Sequence, residues 1–214
     1  MTDAKPRQKR GPSPAKTAET QTRICAAALA RFLSDGFEAT RMLDVARDAG
    51  VAKGTLYLYF PTKEALFEGV LGDVLGESLA RFQLSPPAED EPTGAYLKRV
   101  LLPLVAGPEA PQRLALFRLI LFEGARFPGL LASYRRVVMT PMMTVIRRLS
   151  ARAQARGEVR TDALDRLPML MMAPGLVVTV WNHLFDDEAL QAEDVFSAYI
   201  DLLFDETAPQ RPGA

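Results

Sequence analysis

The chain has 214 residues, of which 48% are hydrophobic and 24% are charged, the composition of a soluble globular protein with room for one or two helical domains. One cysteine and one histidine exclude a disulfide framework and a metal site built from clustered Cys and His ligands. The formal net charge is zero, but the first 63 residues contain eleven Lys or Arg and six Asp or Glu. This asymmetry predicts a polyanionic partner at the N-terminal end.

Neither membrane insertion nor secretion is indicated by the sequence. No apolar run approaches the roughly 20 residues that cross a bilayer, and the charged N-terminus lacks the apolar segment of a signal peptide. We therefore predict a cytoplasmic protein with no membrane partner.

Residues 1–16 are polar, basic and rich in proline, and without periodicity such a segment is predicted to be a disordered arm. The arm has two interpretations, both open at this point. It is either a solvated tail or an arm that reaches a minor groove, as basic arms do in homeodomains. Residues 207–214 are likewise predicted to be a disordered tail.

A first helix is predicted over residues 17–34, with apolar residues such as Ile24 and Phe32 on one side and Gly36 at its end. Cys25 lies beside the apolar side, and a structural role is predicted for it.

Two short helices joined by a tight turn are predicted next. Thr40 is expected to cap the first of them and Gly50 to end it. The second is expected to begin near Lys53 and to stop at Pro61. This arrangement is a helix-turn-helix, in which the second helix enters the major groove of DNA.

The second short helix is predicted to bury Leu56 and Phe60 and to expose the groups that meet DNA. Gly54, which has no side chain, would let the backbone approach a phosphate or a base edge closely. Hydroxyl and ammonium groups on the same face suit phosphate oxygens and base edges. The predicted DNA-binding residues are Thr40, Arg41, Lys53, Gly54, Thr55, Tyr57, Tyr59 and Lys63. The alternative is a solvated helix face that happens to carry these side chains.

The segment from Thr22 to Phe67 resembles the DNA-binding domain of the TetR family of bacterial transcriptional regulators. The residues that carry the resemblance are Ile24, Ala27, Ala28, Phe32, Gly36, Phe37, Thr40, Val45, Ala46, Ala49, Gly50, Val51, Lys53, Gly54, Thr55, Leu56, Tyr57, Tyr59, Phe60, Lys63, Glu64, Ala65 and Leu66. The resemblance implies contacts with the DNA backbone for Thr40, Lys53, Tyr59 and Lys63, and positions nearest to bases for Thr55 and Tyr57. The sequence departs from the family pattern at Leu43, where a polar residue is more common, and at Arg41, which replaces a small hydroxyl residue.

Beyond this segment every periodic stretch has the helical period. The predicted helices span residues 62–82, 94–106, 111–126, 128–156, 163–185 and 192–204. Pro141 and Pro174 are expected to bend two of them, and Gly157 to end the helix of residues 128–156. The predicted fold class is all-α with about nine helices. Residues 17–62 form an N-terminal three-helix helix-turn-helix domain, and residues 63–206 form a helical domain for ligand binding and dimerisation.

Methionine and phenylalanine side chains recur on the helices of the second domain. Such adaptable apolar side chains on bent helices can enclose a cavity, and the same pattern is also that of a packed core. The TetR resemblance implies a pocket here for an apolar or amphipathic small molecule. The predicted ligand-binding residues are Phe117, Phe122, Met139, Met143, Met171, Met172 and Trp181. His183 is interpreted as a packed or interface residue.

The last two predicted helices are apolar on more than one face. A helix that is apolar all round is buried, and two such helices from each of two subunits would form a four-helix bundle. We therefore predict a homodimer, which agrees with helix-turn-helix dimers that read the two halves of a palindrome. The alternative is that these helices are covered by their own subunit.

Together these features predict a repressor that binds double-stranded DNA at a palindromic operator as a homodimer and is released by a small-molecule effector. Catalysis is not predicted, because the chain has no Gly-rich phosphate loop and no nucleophile elbow, and no cofactor is expected. Two other functions are kept as alternatives. One is a small-molecule-binding helical protein that has lost DNA binding, and the other is a helical enzyme with a pocket.

Overall fold

The computed structural model describes residues 14–159 and 161–204. The regular structure of this part of the chain is helical throughout, so the predicted all-α fold class is confirmed. The α-helices are α1 (Pro14–Ala39), α2 (Met42–Asp48), α3 (Lys53–Tyr59), α4 (Lys63–Leu84), α5 (Thr93–Ala106), α6 (Ala110–Glu123), α7 (Pro128–Tyr134), α8 (Thr140–Ala155), α9 (Ala163–Arg166), α10 (Ala173–Leu184) and α11 (Ala192–Leu203). A π-helical turn, Arg135–Met139, joins α7 to α8, and 3₁₀ turns at Pro168–Met172 and Asp186–Glu188 flank α10.

The predicted terminal segments fall almost entirely outside the described residues. Residues 1–13 of the predicted arm and the whole predicted tail, residues 207–214, are not described. Residues 14–16 are helical and form the start of α1. Of the described helices, none is long and apolar enough to cross a membrane.

The described residues form eleven α-helices where about nine were predicted, because two long stretches are interrupted. The prediction of one helix over residues 163–185 is wrong. Leu167 has φ −129° and ψ 66°, which takes it out of the helical region, since a residue that precedes a proline avoids that region. The chain resumes as a 3₁₀ turn at Pro168 and becomes α-helical at Ala173.

Pro141 and Pro174 were expected to bend helix interiors. Pro174 instead lies in the first turn of α10, where a proline removes no α-helical hydrogen bond because the first N–H groups have no partner within the helix. Pro141 follows residues that are already helical, since Met139 has φ −66° and ψ −48°, and its missing N–H therefore interrupts a continuous helical stretch. The expected distortion near Pro141 takes the form of the preceding π-helical turn, in which each backbone bond spans one extra residue. Gly157, with φ 70°, ends α8 as predicted.

One hydrophobic core is shared by the first four helices and the body of the molecule. At its centre the Phe32 and Phe37 rings lie 5.5 Å apart, and Phe67 meets both edge-on at 5.6 and 5.8 Å. Leu116 from α6 and Leu130 from α7 belong to the same buried cluster. Helices of the C-terminal part therefore support the N-terminal part directly, across the predicted boundary at residue 62.

Cys25 lies in this core with 2% of its surface exposed. Burial, with a smaller contribution from the negative charge of Asp73, raises the pKa of its thiol to about 12. The reactive thiolate is therefore scarce at neutral pH, which agrees with a structural role for this residue.

A second buried cluster joins α5, α8 and α11 at the far end of the molecule and includes Tyr96, Leu149 and Ile200. Next to this cluster, the buried carboxylate of Glu158 accepts a hydrogen bond from the Thr93 N–H at 2.9 Å. The first cluster lies under the two short helices α2 and α3, and residues of both clusters line a cavity.

Candidate DNA-binding surface and effector cavity

The helix-turn-helix is built by local signals that the structure largely confirms. Gly50 ends α2 with φ 64°, and the Val51 N–H bonds to the Ala46 carbonyl at 2.9 Å, so the chain reverses where a left-handed residue was expected. The Thr62 hydroxyl accepts a hydrogen bond from the Ala65 N–H at 3.1 Å, and α4 therefore begins directly after α3. These bonds hold α3 at the surface.

The buried face of α3 is the one predicted. Leu56 and Phe60 are buried, whereas Lys53, Gly54 and Tyr57 are exposed. A methyl group at Gly54 would meet no atom within 4 Å, so this glycine leaves an open path to the backbone at the start of α3.

Two of the predicted residues on this surface are only partly exposed, and one exposed residue was not predicted. Thr55 and Tyr59 are half-buried, and the Lys53 ammonium lies 5.9 Å from the centre of the Tyr57 ring. Leu58 was not among the predicted contacts, although 83% of its surface is exposed on α3. Leu58 could have been predicted from the sequence, because it lies between two tyrosines that were both expected to face outward. It adds an exposed apolar side chain to an otherwise polar face.

Thr40 does not cap α2, so that prediction is wrong. The residue at the N-cap position is Arg41, which is exposed and makes no capping bond from its side chain. Thr40 is 3% exposed, and its hydroxyl donates to the Gly36 carbonyl at 2.7 Å. A contact of Thr40 with DNA stays a prediction, but in this conformation its hydroxyl is bonded to the end of α1.

Lys63 is half-buried at the start of α4, and its ammonium is bonded within the protein. It donates to the carbonyls of Phe37 at 2.7 Å, Glu38 at 2.9 Å and Thr40 at 3.2 Å. An ammonium has three hydrogens to donate, and a cation is favourable beside the carbonyls that end a helix. Burial lowers the pKa of Lys63, against the opposing influence of nearby carboxylates. Lys63 therefore ties α4 to the end of α1, and its predicted contact with a phosphate stays a prediction.

Replacing Lys63 by alanine should lower the free energy of unfolding by about 1–3 kcal/mol, because three carbonyls lose their charged donor. Replacing the exposed Lys53 by alanine should change it by less than about 0.5 kcal/mol. Chemical denaturation of both variants measures the difference. Equal stability of the two variants would show that the Lys63 bonds contribute nothing to folding.

The basic residues of α1 and α2 are largely paired with carboxylates. Arg31 donates to Asp48 at 2.6 Å and to Asp35 at 3.0 Å, and Arg47 lies 3.1 Å from Asp44. The hydrogen bond from Arg31 lowers the pKa of Asp48. The outward positive charge of α3 and of the N-cap of α2 therefore comes mainly from Lys53 and Arg41, which are both exposed.

A cavity of about 750 Å³ lies in the C-terminal part, a size that suits a drug-sized molecule. Three of the seven predicted ligand-binding residues line it, namely Phe117, Met171 and Met172. The lining residues that were not predicted include Leu75, Phe82, Leu101, Leu104, Leu114, Val138, Met142, Ile146, Val178 and Phe196.

The other four predicted residues lie elsewhere because of the phase of their helices. Val138, Met142 and Ile146 line the cavity at four-residue spacing, so Met139 and Met143 are turned about 100° away from it. Phe122 is 48% exposed with its ring 4.9 Å from that of His183. Trp181 is 38% exposed and donates to the Glu188 carbonyl at 3.0 Å.

A carboxylate at the end of α6 connects the cavity wall to the DNA-binding helices. Glu123 accepts a hydrogen bond from the Phe37 N–H at 2.9 Å. It lies so close to Gly36, which has φ 81°, that a Cβ there would approach the carboxylate to 2.8 Å. Arg113 and Phe117, on the same helix, line the cavity. The sequence offered no signal for this bond, which joins residues 86 positions apart.

A second connection involves Glu68 of α4. It accepts from the Ser133 hydroxyl at 2.8 Å and pairs with Arg136. These partners lie in α7 and in the π-helical turn, and Val138 of that turn lines the cavity.

An apolar stripe is exposed along α10. Leu176, Val177, Val180, Trp181 and Leu184 are between 38% and 64% exposed. By contrast, α11 packs on α5 and buries Ile200 and Phe204, although Leu202 is 83% exposed. The apolar surface of the last two helices is therefore uncovered mainly on α10. In the described residues no three His, Cys, Asp or Glu side chains are grouped as a metal site.

Residues 24–70 match the family described as bacterial regulatory proteins, tetR family. The transcriptional regulator UidR of Escherichia coli K12 is 32% identical over 143 residues, which are 67% of this chain and 70% of UidR. A TetR-family regulator from a Rhodococcus species has the same fold, with a TM-score of 0.73 at 20% identity over 88% of this chain and 100% of that one. FadR from Bacillus subtilis, solved in complex with stearoyl-CoA, has a TM-score of 0.69 at 19% identity over 84% of this chain and 95% of that one. The chain thus belongs to the TetR family of bacterial regulatory proteins, which are DNA-binding transcriptional regulators and not enzymes.

Proposed function

We propose that this TetR-family regulator is a repressor that binds a palindromic operator as a homodimer and leaves it when a small apolar or amphipathic molecule fills the cavity. The main support is that α4 belongs to both sites. Its first residue, Lys63, is bonded to the end of α1, whereas Leu75 and Phe82 further along line the cavity. A packed helix that is shared in this way can carry a change in one site to the other.

In the proposed complex α3 lies in the major groove. Lys53 meets a phosphate, and Thr55 and Tyr57 meet base edges, since these groups lie on the outward side of α3. The exposed Leu58 adds an apolar surface that suits a thymine methyl group. Two copies of α3 about 34–36 Å apart would read the two halves of a palindrome.

Support for the homodimer comes from α10. Its exposed apolar stripe, defined above by residues 176–184, is a continuous patch, whereas an ordinary protein surface carries exposed apolar residues singly. Continuous patches of this kind mark interaction sites. A second copy of the same stripe is the complementary partner that a two-fold axis supplies. Compared with the sequence prediction, α11 contributes less, because its apolar side is mostly covered by α5.

Ligand response requires that the effector bind more tightly to the conformation that does not fit the operator. The cavity supports this mechanism because its walls come from both α4 and α6, and each of these helices is bonded to the end of α1. FadR, which shares the fold, was solved with stearoyl-CoA, and this supports a small-molecule site in this chain.

The proposed function is tested by gel shift with duplexes taken from upstream of the coding region of this protein. Binding should weaken as salt rises, because phosphate contacts release counterions. A complex that forms at low salt, about 50–100 mM, and is lost when a cavity ligand is added supports a repressor. Failure to shift any upstream duplex at low salt would instead support a small-molecule-binding protein that has lost DNA binding.

Glu123 provides a separate prediction about the coupling of the two sites. Replacing it by alanine should leave the cavity intact but reduce the effect of ligand on operator affinity, because α6 then lacks its acceptor for the Phe37 N–H. Coupling free energies are typically about 1–3 kcal/mol, so the ratio of operator Kd values with and without saturating 1-decanol should fall about fivefold or more. Glu123→Gln keeps an acceptor oxygen and is the matched control. An unchanged ratio in Glu123→Ala would exclude this route.

A further inference from the structure

We infer that the effector is an amphipathic cation, whose apolar body fills the cavity and whose positively charged head lies at the mouth beside Glu193 and Asp194. This inference rests on the cavity of the proposed function and adds the charge of its ligand. It follows from the charged groups that line the cavity and from the protein partners that they already have.

The interior of the cavity accepts an apolar body. Of the described residues that line it, Arg113, Glu193 and Asp194 carry charge, and the deep wall consists of Leu, Val, Ile, Met and Phe side chains. A charged group placed against that wall would lose its hydration without gaining a partner. The charged or polar end of a ligand must therefore lie at the mouth.

The mouth is identified by the lining residues that are also exposed. On one side it is formed by the connection of α5 to α6, at Ala106 and Pro111. On the other side it is formed by the segment that leads into α11, which ends at Gln191, and by the first turn of α11, which carries Glu193 and Asp194. Asn182 uses its side-chain amide to hold this segment in place. It donates to the Leu190 carbonyl at 3.0 Å and accepts from the Leu190 N–H at 2.8 Å.

Arg113 is already bonded within the protein and paired with a carboxylate, so it is a poor partner for an anionic head. Its guanidinium donates to the carbonyls of Leu104 at 3.2 Å and Val74 at 3.4 Å, and it pairs with the Glu109 carboxylate. Because Glu109 offsets its charge, the lining charges that remain are the two exposed carboxylates of Glu193 and Asp194.

The N-terminus of α11 also lies at the mouth and would by itself favour an anion. Glu193 and Asp194 occupy the first turn of this helix, so the favourable position for negative charge is already filled. A carboxylate or phosphate head would meet two like charges there, whereas an ammonium head would meet two opposite ones.

The inference is tested with three probes that share a ten-carbon chain, namely decyltrimethylammonium, 1-decanol and decanoate. Their binding to the full chain is measured by calorimetry at concentrations below micelle formation. Decyltrimethylammonium should bind at least about tenfold more tightly than decanoate, with decanol between them, because each carboxylate near the head changes affinity by about fivefold. The preference should shrink between about 50 and 500 mM salt, since the carboxylates are exposed.

The double variant Glu193→Gln with Asp194→Asn should reduce the cation preference to about twofold or less. Its matched control is Glu89→Gln with Asp90→Asn, which removes the same charge beyond the other end of α5, about 20 Å away along a helix of 14 residues. The control variant should keep the preference of the native chain.

Each outcome decides one of the claims. Decanoate binding as tightly as the ammonium probe, or a cation preference that survives in the Glu193 and Asp194 variant, would overturn the inference. Binding of no probe would overturn both the inference and the ligand response. Cation-selective binding that does not release DNA would support the inference and overturn only the proposed release mechanism.

Discussion

A glutamate in place of Val180 is expected to convert the proposed dimer to monomers and to weaken operator binding by about 100-fold or more. Val180 lies in the middle of the exposed stripe on α10 and is 41% exposed. Dimerisation of the variant would bury two unpaired carboxylates against apolar side chains, which is strongly unfavourable. A monomer also loses the gain from binding two half-sites at once, which is about 100-fold or greater.

Size-exclusion chromatography with light scattering gives the oligomeric state, and fluorescence anisotropy with an operator duplex gives the affinity. Leu84→Glu is the matched control, because Leu84 is 80% exposed at the end of α4 and lies off the stripe. If the Val180 variant stays dimeric, α10 is not the dimer interface. If it becomes monomeric and binds the duplex as tightly as the native chain, the proposal that a dimer binds both half-sites of a palindrome is wrong.

The second large effect is expected at Tyr57. Replacing it by alanine should reduce discrimination between operator and altered sequences by about 1–3 kcal/mol per half-site, the range for a good base contact. Lys53→Ala is the paired variant, because removing a phosphate-binding ammonium should weaken binding to all sequences alike. The slope of log affinity against log salt concentration should also become shallower by about 0.9 for each phosphate that the variant no longer neutralises.

Both variants are measured by anisotropy on the operator and on single base-pair variants of it, at three or more salt concentrations. Tyr57 is exposed on α3, so folding should be unaffected, and the melting temperature provides that control. A uniform loss of affinity in Tyr57→Ala would contradict a base-reading role and would assign the tyrosine to the backbone instead.

The helix-turn-helix could be predicted because its signals are local. Gly50 ends α2 and Thr62 caps α4 through bonds to residues three to five positions away, and Leu56 and Phe60 face inward because of the helical period. Apolar periodicity likewise predicted most helices of the body. It missed the break within residues 163–185, because the effect of Pro168 on Leu167 was outweighed by the apolar pattern around it.

The tertiary structure alone decided what the candidate sites are made of. The side chain of Lys63 suits a phosphate contact, yet its ammonium donates to carbonyls of residues more than 20 positions earlier in the chain. The hydrogen bond from the Phe37 N–H to Glu123 joins residues 86 positions apart. Met142 lines the cavity and Met143 does not, because one residue turns a helix by about 100°. The amino-acid sequence by itself determined most of the helices, several of their ends and the helix-turn-helix, since these depend on neighbours along the chain. The cavity, its acidic mouth and its bonded connections to α1 depend on how whole helices pack, and no short stretch of sequence contains that information.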